Sequence, residues 1–259
     1  MNSLVASTVL TEFLVALQFL TIVRVKKNLP FSEAALGRSG AFFPLVGLLL
    51  GAVLWGLDWV CRPLVPSAFL SIVLVLTLIL LSRGLHLDGL ADTADGLLGS
   101  SERQRSLDIM KDSAIGTFGA LAVIGVVLLK VRALDLLQGG YRGPALLLGP
   151  MLSRWACVVM AYSSRPARPE GLGATFVKET QFREFALASV FALALVFVLL
   201  EIVGLVVFIP LAALILAFTL YCNRRLGGVT GDTLGALGEM VETAVLCLFM
   251  LLEMAVASR

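Results

Sequence analysis

Asp88, Asp92 and Asp95 stand four and then three residues apart in the stretch His86-Leu87-Asp88-Gly89-Leu90-Ala91-Asp92-Thr93-Ala94-Asp95-Gly96. On a helix those offsets hold all three carboxylates within roughly 60° of one face. Acids on one stripe repel each other and keep their protons unless a cation neutralises them. Mg2+ meets that need, because it takes hard oxygen ligands and is commonly held by one or two carboxylates together with substrate phosphates. The stretch contains no Lys or Arg, which argues against a merely solvated, salt-bridged helix end. Asp88, Asp92 and Asp95 are therefore candidate Mg2+ ligands for phosphate chemistry. Gly96 completes the short pattern D-x-x-D-G and leaves room for a ligand near the backbone.

Two further polar blocks follow. Arg103-x-Arg105-x-x-Asp108-x-x-Lys111-Asp112-Ser113 runs toward Gly116 and Gly119. Asp108 and Asp112 are one turn apart, so a second helix can offer carboxylates to the first, although Asp112 or Ser113 would serve equally as an N-cap. Arg103, Arg105 and Lys111 could neutralise phosphate oxygens, Arg in bidentate fashion, or remain ordinary surface charges. The third block is Arg224-Arg225-Leu226-Gly227-Gly228-Val229-Thr230-Gly231-Asp232-Thr233. A glycine-rich turn at a helix N-terminus exposes N–H groups that favour an anion. Simple capping also accounts for Asp232 and Thr233. His86, the only histidine, could orient a metal-bound group or act as a base, or sit as a neutral hydrogen-bonded residue.

Apolar segments must position these blocks. The 259 residues are 59% hydrophobic and 15% charged, far from a soluble domain and typical of an integral membrane protein. Runs of about 20 apolar residues, enough to cross roughly 30 Å of hydrocarbon, predict spans near 40–60, 67–85, 116–138, 144–162, 185–201, 204–221 and 233–256. The 37-residue run 185–221 is too long for one helix and divides near Glu201–Gly204. Residues 4–23 form either an interfacial helix or an eighth span, with the interface favoured. No basic n-region precedes Arg24, so no cleavable signal peptide is expected. The four cysteines are widely separated and read as small core residues.

With seven spans, 14 of the 20 basic residues fall on the long-loop side, among them Arg24, Lys26, Lys27, Arg38, Arg83, Arg165 and Arg168. That side is then cytoplasmic. Asp88, Asp92, Asp95, Asp108, Asp112 and Asp232 share it. Arg154 lies near the centre of a span and must pair with an acid or contact substrate; Glu239 and Glu242, seven and ten residues past Asp232, are the candidate partners. The expected fold is an all-α, polytopic transmembrane bundle of about seven spans. It forms a single integral membrane domain over 1–259, with the active site at the cytoplasmic helix ends.

The three blocks, with Phe43-Pro44-Leu45-Val46-Gly47, Ile109-Met110-Lys111-Asp112-Ser113, Gly171-Leu172-Gly173 and Gly227 through Asp232 with Gly235, resemble the cobalamin synthase family of adenosylcobinamide-GDP ribazoletransferases. One departure is Gly84-Leu85 ahead of His86, where the family pattern has an aromatic residue. The resemblance implies transfer of the adenosylcobinamide-phosphate group from adenosylcobinamide-GDP to α-ribazole or its 5′-phosphate. GMP is released, with Mg2+ as cofactor, at the bacterial inner membrane. In that scheme Asp88, Asp92, Asp95, Asp108 and Asp112 are metal ligands, and Asp112, Asp232 or His86 takes the ribose hydroxyl proton. Arg103, Arg105 and Lys111 bind guanylyl phosphates, Gly228, Thr230 and Gly231 bind the acceptor, and Arg154 is a further substrate contact. The lipid bilayer, a second copy of the chain and other cobamide-assembly enzymes are the expected partners, with no nucleic acid. The D-x-x-D-G element also looks like part of the CDP-alcohol phosphotransferase signature. Gly99-Ser100 replaces its small-Arg pair, and Asp108 and Asp112 fall out of register. A lipid-acting phosphotransferase and a multi-pass transporter remain the alternatives.

Overall fold

A long apolar segment in lipid has to satisfy its backbone internally, and a helix is the way a single segment does so. The computed structural model describes residues 2–25 and 32–257, and helices account for most of them. They are α1 (Asn2–Leu20), α2 (Glu33–Ser39), α3 (Phe43–Cys61), α4 (Ser67–Leu81), α5 (Leu85–Gly99), α6 (Arg103–Ile109), α7 (Thr117–Leu136), α8 (Arg142–Tyr162), α9 (Leu172–Glu179), α10 (Phe182–Leu200), α11 (Gly204–Leu226) and α12 (Gly231–Ala257). The described residues contain no strand, only an isolated pairing of Pro166 with Val229.

Five stretches are long and apolar enough to cross a membrane, or six if the bent pair α4–α5 counts as one, where the sequence suggested about seven. The chain is a multi-pass membrane protein. One of the five is the 45-residue stretch Phe182–Leu226. It turns back on itself where the sequence divides it: Glu201 takes a left-handed φ of 49°. A Cβ on Gly204 would come within 2.8 Å of Val196, eight residues earlier. Phe185 stacks on Tyr162 while Asn223 bonds Ser164, so the far ends of α10 and α11 meet beside the end of α8.

The expected span 67–85 ends early. Arg83 and Gly84 both have positive φ, and the chain bends by 88° between α4 and α5. A non-glycine residue rarely adopts that conformation; here the Arg83 guanidinium donates to the Phe19 carbonyl at 3.3 Å. Past the bend, α5 carries its acids to the end of the bundle, level with the first turns of α7 and α12. In α1, the apolar part Val9–Leu20 is too short to cross alone, and Glu12 is tied to Arg38 at 2.6 Å. Lys26 and Lys27, counted in the charge balance, lie outside the described residues. All four cysteines are free thiols.

α8 is the axis of the bundle, buried along most of its length between α3 and α12. Small residues let α3 close on it: a Cβ on Gly47 would lie 2.3 Å from the Pro150 carbonyl oxygen, and one on Gly51 2.6 Å from that of Leu146. Apolar surface alone cannot drive helices together in lipid, so such close approach matters. Charges inside the bundle are balanced. Lys130 of α7 contacts Glu239 and Glu242 of α12, and Arg154 of α8 reaches Glu242 at 2.8 Å. Two cations and two anions thus cancel in a region where a lone charge is costly. The acid partner expected for Arg154 is Glu242. Arg142 similarly bonds Asp58 at 2.8 Å and the carbonyls of Leu134 and Leu137.

Two outcomes follow. Gly47→Leu should lower thermal stability in detergent by about 1–3 kcal/mol or more, by overpacking. Gly56→Leu should be silent, since a Cβ there meets nothing within 4 Å. Glu242→Leu strands Lys130 and Arg154 on one remaining acid, at a cost of about 3–5 kcal/mol; melting of the purified variants measures both.

Candidate functional site

Glycine packing brings the acidic helix α5 onto the start of α12. A Cβ on Gly89 would sit 2.7 Å from the Asp232 carbonyl oxygen, and one on Gly235 would sit 3.2 Å from the His86 Cα. Asp88, His86 and Asp232 consequently share the wall of one cavity of about 180 Å3. Asp88 also borders a wider, open cleft of about 570 Å3 on its other side, with Arg83, Ala91, Ile115 and Val123. Asp92 lies one turn from Asp88 and is half-buried. Burial, then the negative charges of Asp88 and Asp232, push its carboxyl up to about 7, with Arg168 pulling the other way.

Asp95 does not join this group. Its oxygens accept the N–H groups of Gly116 at 2.7 Å and Gly119 at 2.9 Å, at the start of α7. It stands on the opposite edge of the helical stripe from Asp92, and that edge is the one α7 covers. Gly116 and Gly119 leave no space there for a side chain: a Cβ on either would lie within 2.4 Å of the Asp95 carboxylate. Helix N-termini favour such anions. Asp108 accepts from the Gln104 amide at 3.0 Å and Asp112 accepts the Ala114 N–H at 3.1 Å, so both are engaged in the exposed 104–114 segment. Among the described residues, no three His, Cys, Asp or Glu side chains converge closely enough to hold a metal by themselves. Of the five carboxylates expected as ligands, only Asp88 lines this cavity, with Asp232 on the same wall and Asp92 one helical turn further along α5.

The basic residues also sort differently. Arg103 donates to the Leu226 carbonyl at 2.6 Å and the Ala167 carbonyl at 3.3 Å, so it ties loops together rather than standing open to phosphate. Arg225 donates to the Ser100 carbonyl at 2.6 Å, and Arg165 to the Gly227 carbonyl at 2.8 Å. Arg105 and Lys111 are exposed, and their side chains make no hydrogen bond or ion pair among the described residues. Arg154 is 1% exposed and committed to Glu242, within the bundle.

In the glycine-rich turn, Gly228 has φ 156° and its α-carbon faces the Arg165 carbonyl, where a Cβ would come within 2.3 Å. Thr230 caps α12: its hydroxyl accepts the Thr233 N–H at 3.2 Å while the Thr233 hydroxyl accepts the Thr230 N–H at 2.8 Å. Gly231 borders Gly173, where a Cβ would come within 2.5 Å of the Gly231 Cα. Asp232 is not a cap. Its Oδ2 accepts from Arg168 at 3.0 Å and from the Thr230 hydroxyl at 3.2 Å, and Oδ1 takes no bond from the described residues. Arg168, which the sequence offered only as a topology signal, also donates to the Leu107 carbonyl at 2.9 Å and so links α6 to the site. The run Arg165-Pro166-Ala167-Arg168-Pro169 was the available clue, since prolines force an irregular segment that can lay its arginines across a helix end.

This arrangement can place a cation or polyphosphate beside paired acids, next to a smaller recess and a wider, open cleft. Comparison with known proteins narrows it. Residues 12–250 match the family described as cobalamin-5-phosphate synthase. A protein of Syntrophobacter fumaroxidans named adenosylcobinamide-GDP ribazoletransferase is 42% identical over 240 residues, covering 91% of this chain and 96% of its own length. Relatives of the same name from Geotalea daltonii and Clostridium tetani are 38% and 34% identical, over 92% and 93% of this chain and 96% of each relative. No solved structure matches the chain. Agreement over nearly the full length, including every element that builds the cavity, makes the chain a member of the cobalamin-5-phosphate synthase family.

Proposed function

We propose that the protein transfers the adenosylcobinamide-phosphate group of adenosylcobinamide-GDP to α-ribazole, or its 5′-phosphate, and releases GMP. The observation that carries this reading is the meeting of Asp88 and Asp232 on the wall of one recess, with Asp88 also bordering a second and Asp92 within electrostatic reach of both acids, in a chain whose relatives bear that activity in their names. The ribose hydroxyl attacks the cobinamide-side phosphorus, the phosphoanhydride bond to GMP breaks, and the hydroxyl proton passes to the protein. Such displacement depends on placement and charge neutralisation more than on covalent help.

Asp88 and Asp92 are the residues that would hold Mg2+. Two hard carboxylates plus substrate phosphates suit that ion, and a cation would offset both causes that push Asp92 up to about 7, burial first and then the negative charges of Asp88 and Asp232. When bound, the ion would neutralise the pyrophosphate and stabilise the leaving GMP. Asp232 is the proposed proton acceptor, because its Oδ1 takes no bond from the described residues while Arg168 and Thr230 fix Oδ2. His86 lines the same cavity and Asp112 does not, which favours Asp232 and His86 over Asp112 for this role. Arg105 and Lys111 remain able to meet the guanylyl phosphates. Positive-inside bias supports an inner-membrane orientation with this end in the cytoplasm.

Purified protein given Mg2+, adenosylcobinamide-GDP and α-ribazole should release GMP only when all three are present; turnover of CDP-diacylglycerol instead would overturn the reading. Asp92→Asn should cut GMP release by about two to three orders of magnitude, the scale of losing a charge-stabilising group, while detergent-solubilised yield is unchanged. A carboxyl that keeps its proton to about 7 competes with a cation below that pH and not above it. The Mg2+ concentration for half-maximal rate should therefore fall about tenfold between pH 6 and pH 8, following one ionisation. A pH-independent requirement would exclude Asp92 as a ligand.

A further inference from the structure

The chain leaves α4 through a cap that normally calls for glycine. The Gly84 N–H donates to the Ile79 carbonyl at 2.8 Å and the Arg83 N–H to the Leu80 carbonyl at 3.1 Å, the paired bonds of a Schellman turn. The residue that must turn left-handed in that motif is Arg83, with φ 55°, at a position glycine fills without strain. An arginine held where glycine would cost less points to a use for its side chain.

That side chain has capacity to spare. Among the described residues it makes a single hydrogen bond, to the Phe19 carbonyl at 3.3 Å, and no ion pair. Most of its N–H donors are therefore uncommitted. Arg83 borders the open cleft together with Asp88, and the rest of that wall carries no charge. Among the described residues, neither recess beside Asp88 has another Arg or Lys on its wall. Arg103, Arg165 and Arg225, by contrast, are spent on main-chain carbonyls.

We propose that Arg83 binds a phosphate oxygen of the donor's pyrophosphate in the open cleft, next to Asp88. A guanidinium keeps its charge at any working pH and meets phosphate oxygens bidentately. Charge assigns it to the donor: adenosylcobinamide-GDP carries a pyrophosphate, whereas α-ribazole carries no phosphate. This assignment rests on the proposed transfer and adds to it a residue that selects the donor.

The test is Arg83→Gly in the full-length purified protein, a substitution that suits the backbone and removes only the side chain. Its melting midpoint should equal or exceed that of the wild type, because the turn is relaxed. KM for adenosylcobinamide-GDP should rise about tenfold or more, the scale of one charge-assisted hydrogen bond, while KM for α-ribazole stays at the wild-type value. GDP should compete with the donor, its inhibition constant raised by a similar factor, and Arg83→Lys should recover part of the loss. An unchanged donor KM, or an equal rise in both KM values, overturns the assignment while GMP release continues. Loss of folding marks Arg83 as a structural clasp on Phe19 and overturns it as well. An effect confined to vesicles containing phosphatidylglycerol, and absent in detergent, assigns the guanidinium to a lipid headgroup and overturns it too. A wild type that releases no GMP overturns the transfer reading. GDP with Mg2+ then decides the site alone: it should lift the wild-type melting midpoint and not that of Arg83→Gly, and an equal lift in both, or none in either, sinks the assignment.

Discussion

Main-chain contact between α5 and α12 is the constraint on which the rest of the site depends. Only hydrogen at position 89 allows the helix to lie against the Asp232 carbonyl, and Gly235 returns the favour against His86. Pushed apart by the width of a methyl group, Asp88 and Asp92 would lose Asp232 as a neighbour, and the smaller recess would open along that seam. Deeper in the bundle the same two helices are braced indirectly, since Lys130 and Arg154 fasten α7 and α8 to α12 through Glu239 and Glu242. The four charges sum to zero, so the brace is compatible with burial. Glycine sets the distance and the ionic group holds it.

Function and membrane residence are separated along the axis of each helix. The acids that define the site stand at helix starts or past a bend, whereas the paired acids Glu239 and Glu242 stand two turns further in and are fully partnered. An isolated aspartate cluster at a helix end is ambiguous. The adjoining smaller recess and wider, open cleft give it a geometry suited to joining two dissimilar molecules at one carboxylate, Asp88.

Much of the architecture was legible in the order of residues. Apolar run lengths located α3, α7, α8 and α12 to within a few positions, because crossing lipid imposes a minimum length. The interruption at Glu201–Gly204 marked the reversal of α10 into α11, and the depth of Arg154 demanded an acid that proved to be Glu242. What spacing could not reveal was which edge of an acidic stripe another helix would cover. Asp88, Asp92 and Asp95 share one stripe of a helical wheel, and the position of the α7 N-terminus decides that the Asp95 edge is the one covered. Likewise Arg103 reads as a phosphate ligand until the carbonyls of Leu226 and Ala167 are found beside it, residues more than 60 positions away. Lys130 passed unnoticed within an apolar run, because its partners lie over 100 positions downstream.

Arg103, Arg165, Arg168 and Arg225 fasten three connecting segments and the ends of α6 and α11 by donating to peptide oxygens of Leu226, Ala167, Gly227, Leu107 and Ser100. A carbonyl is supplied by every amino acid alike. The clasp therefore depends on the identity of the arginine and hardly at all on that of the residue it grips. Among the gripped positions, Leu107, Ala167 and Leu226 are instead fixed by packing into one small buried cluster and Gly227 by its left-handed φ of 72°, which leaves Ser100 as the position most open to exchange.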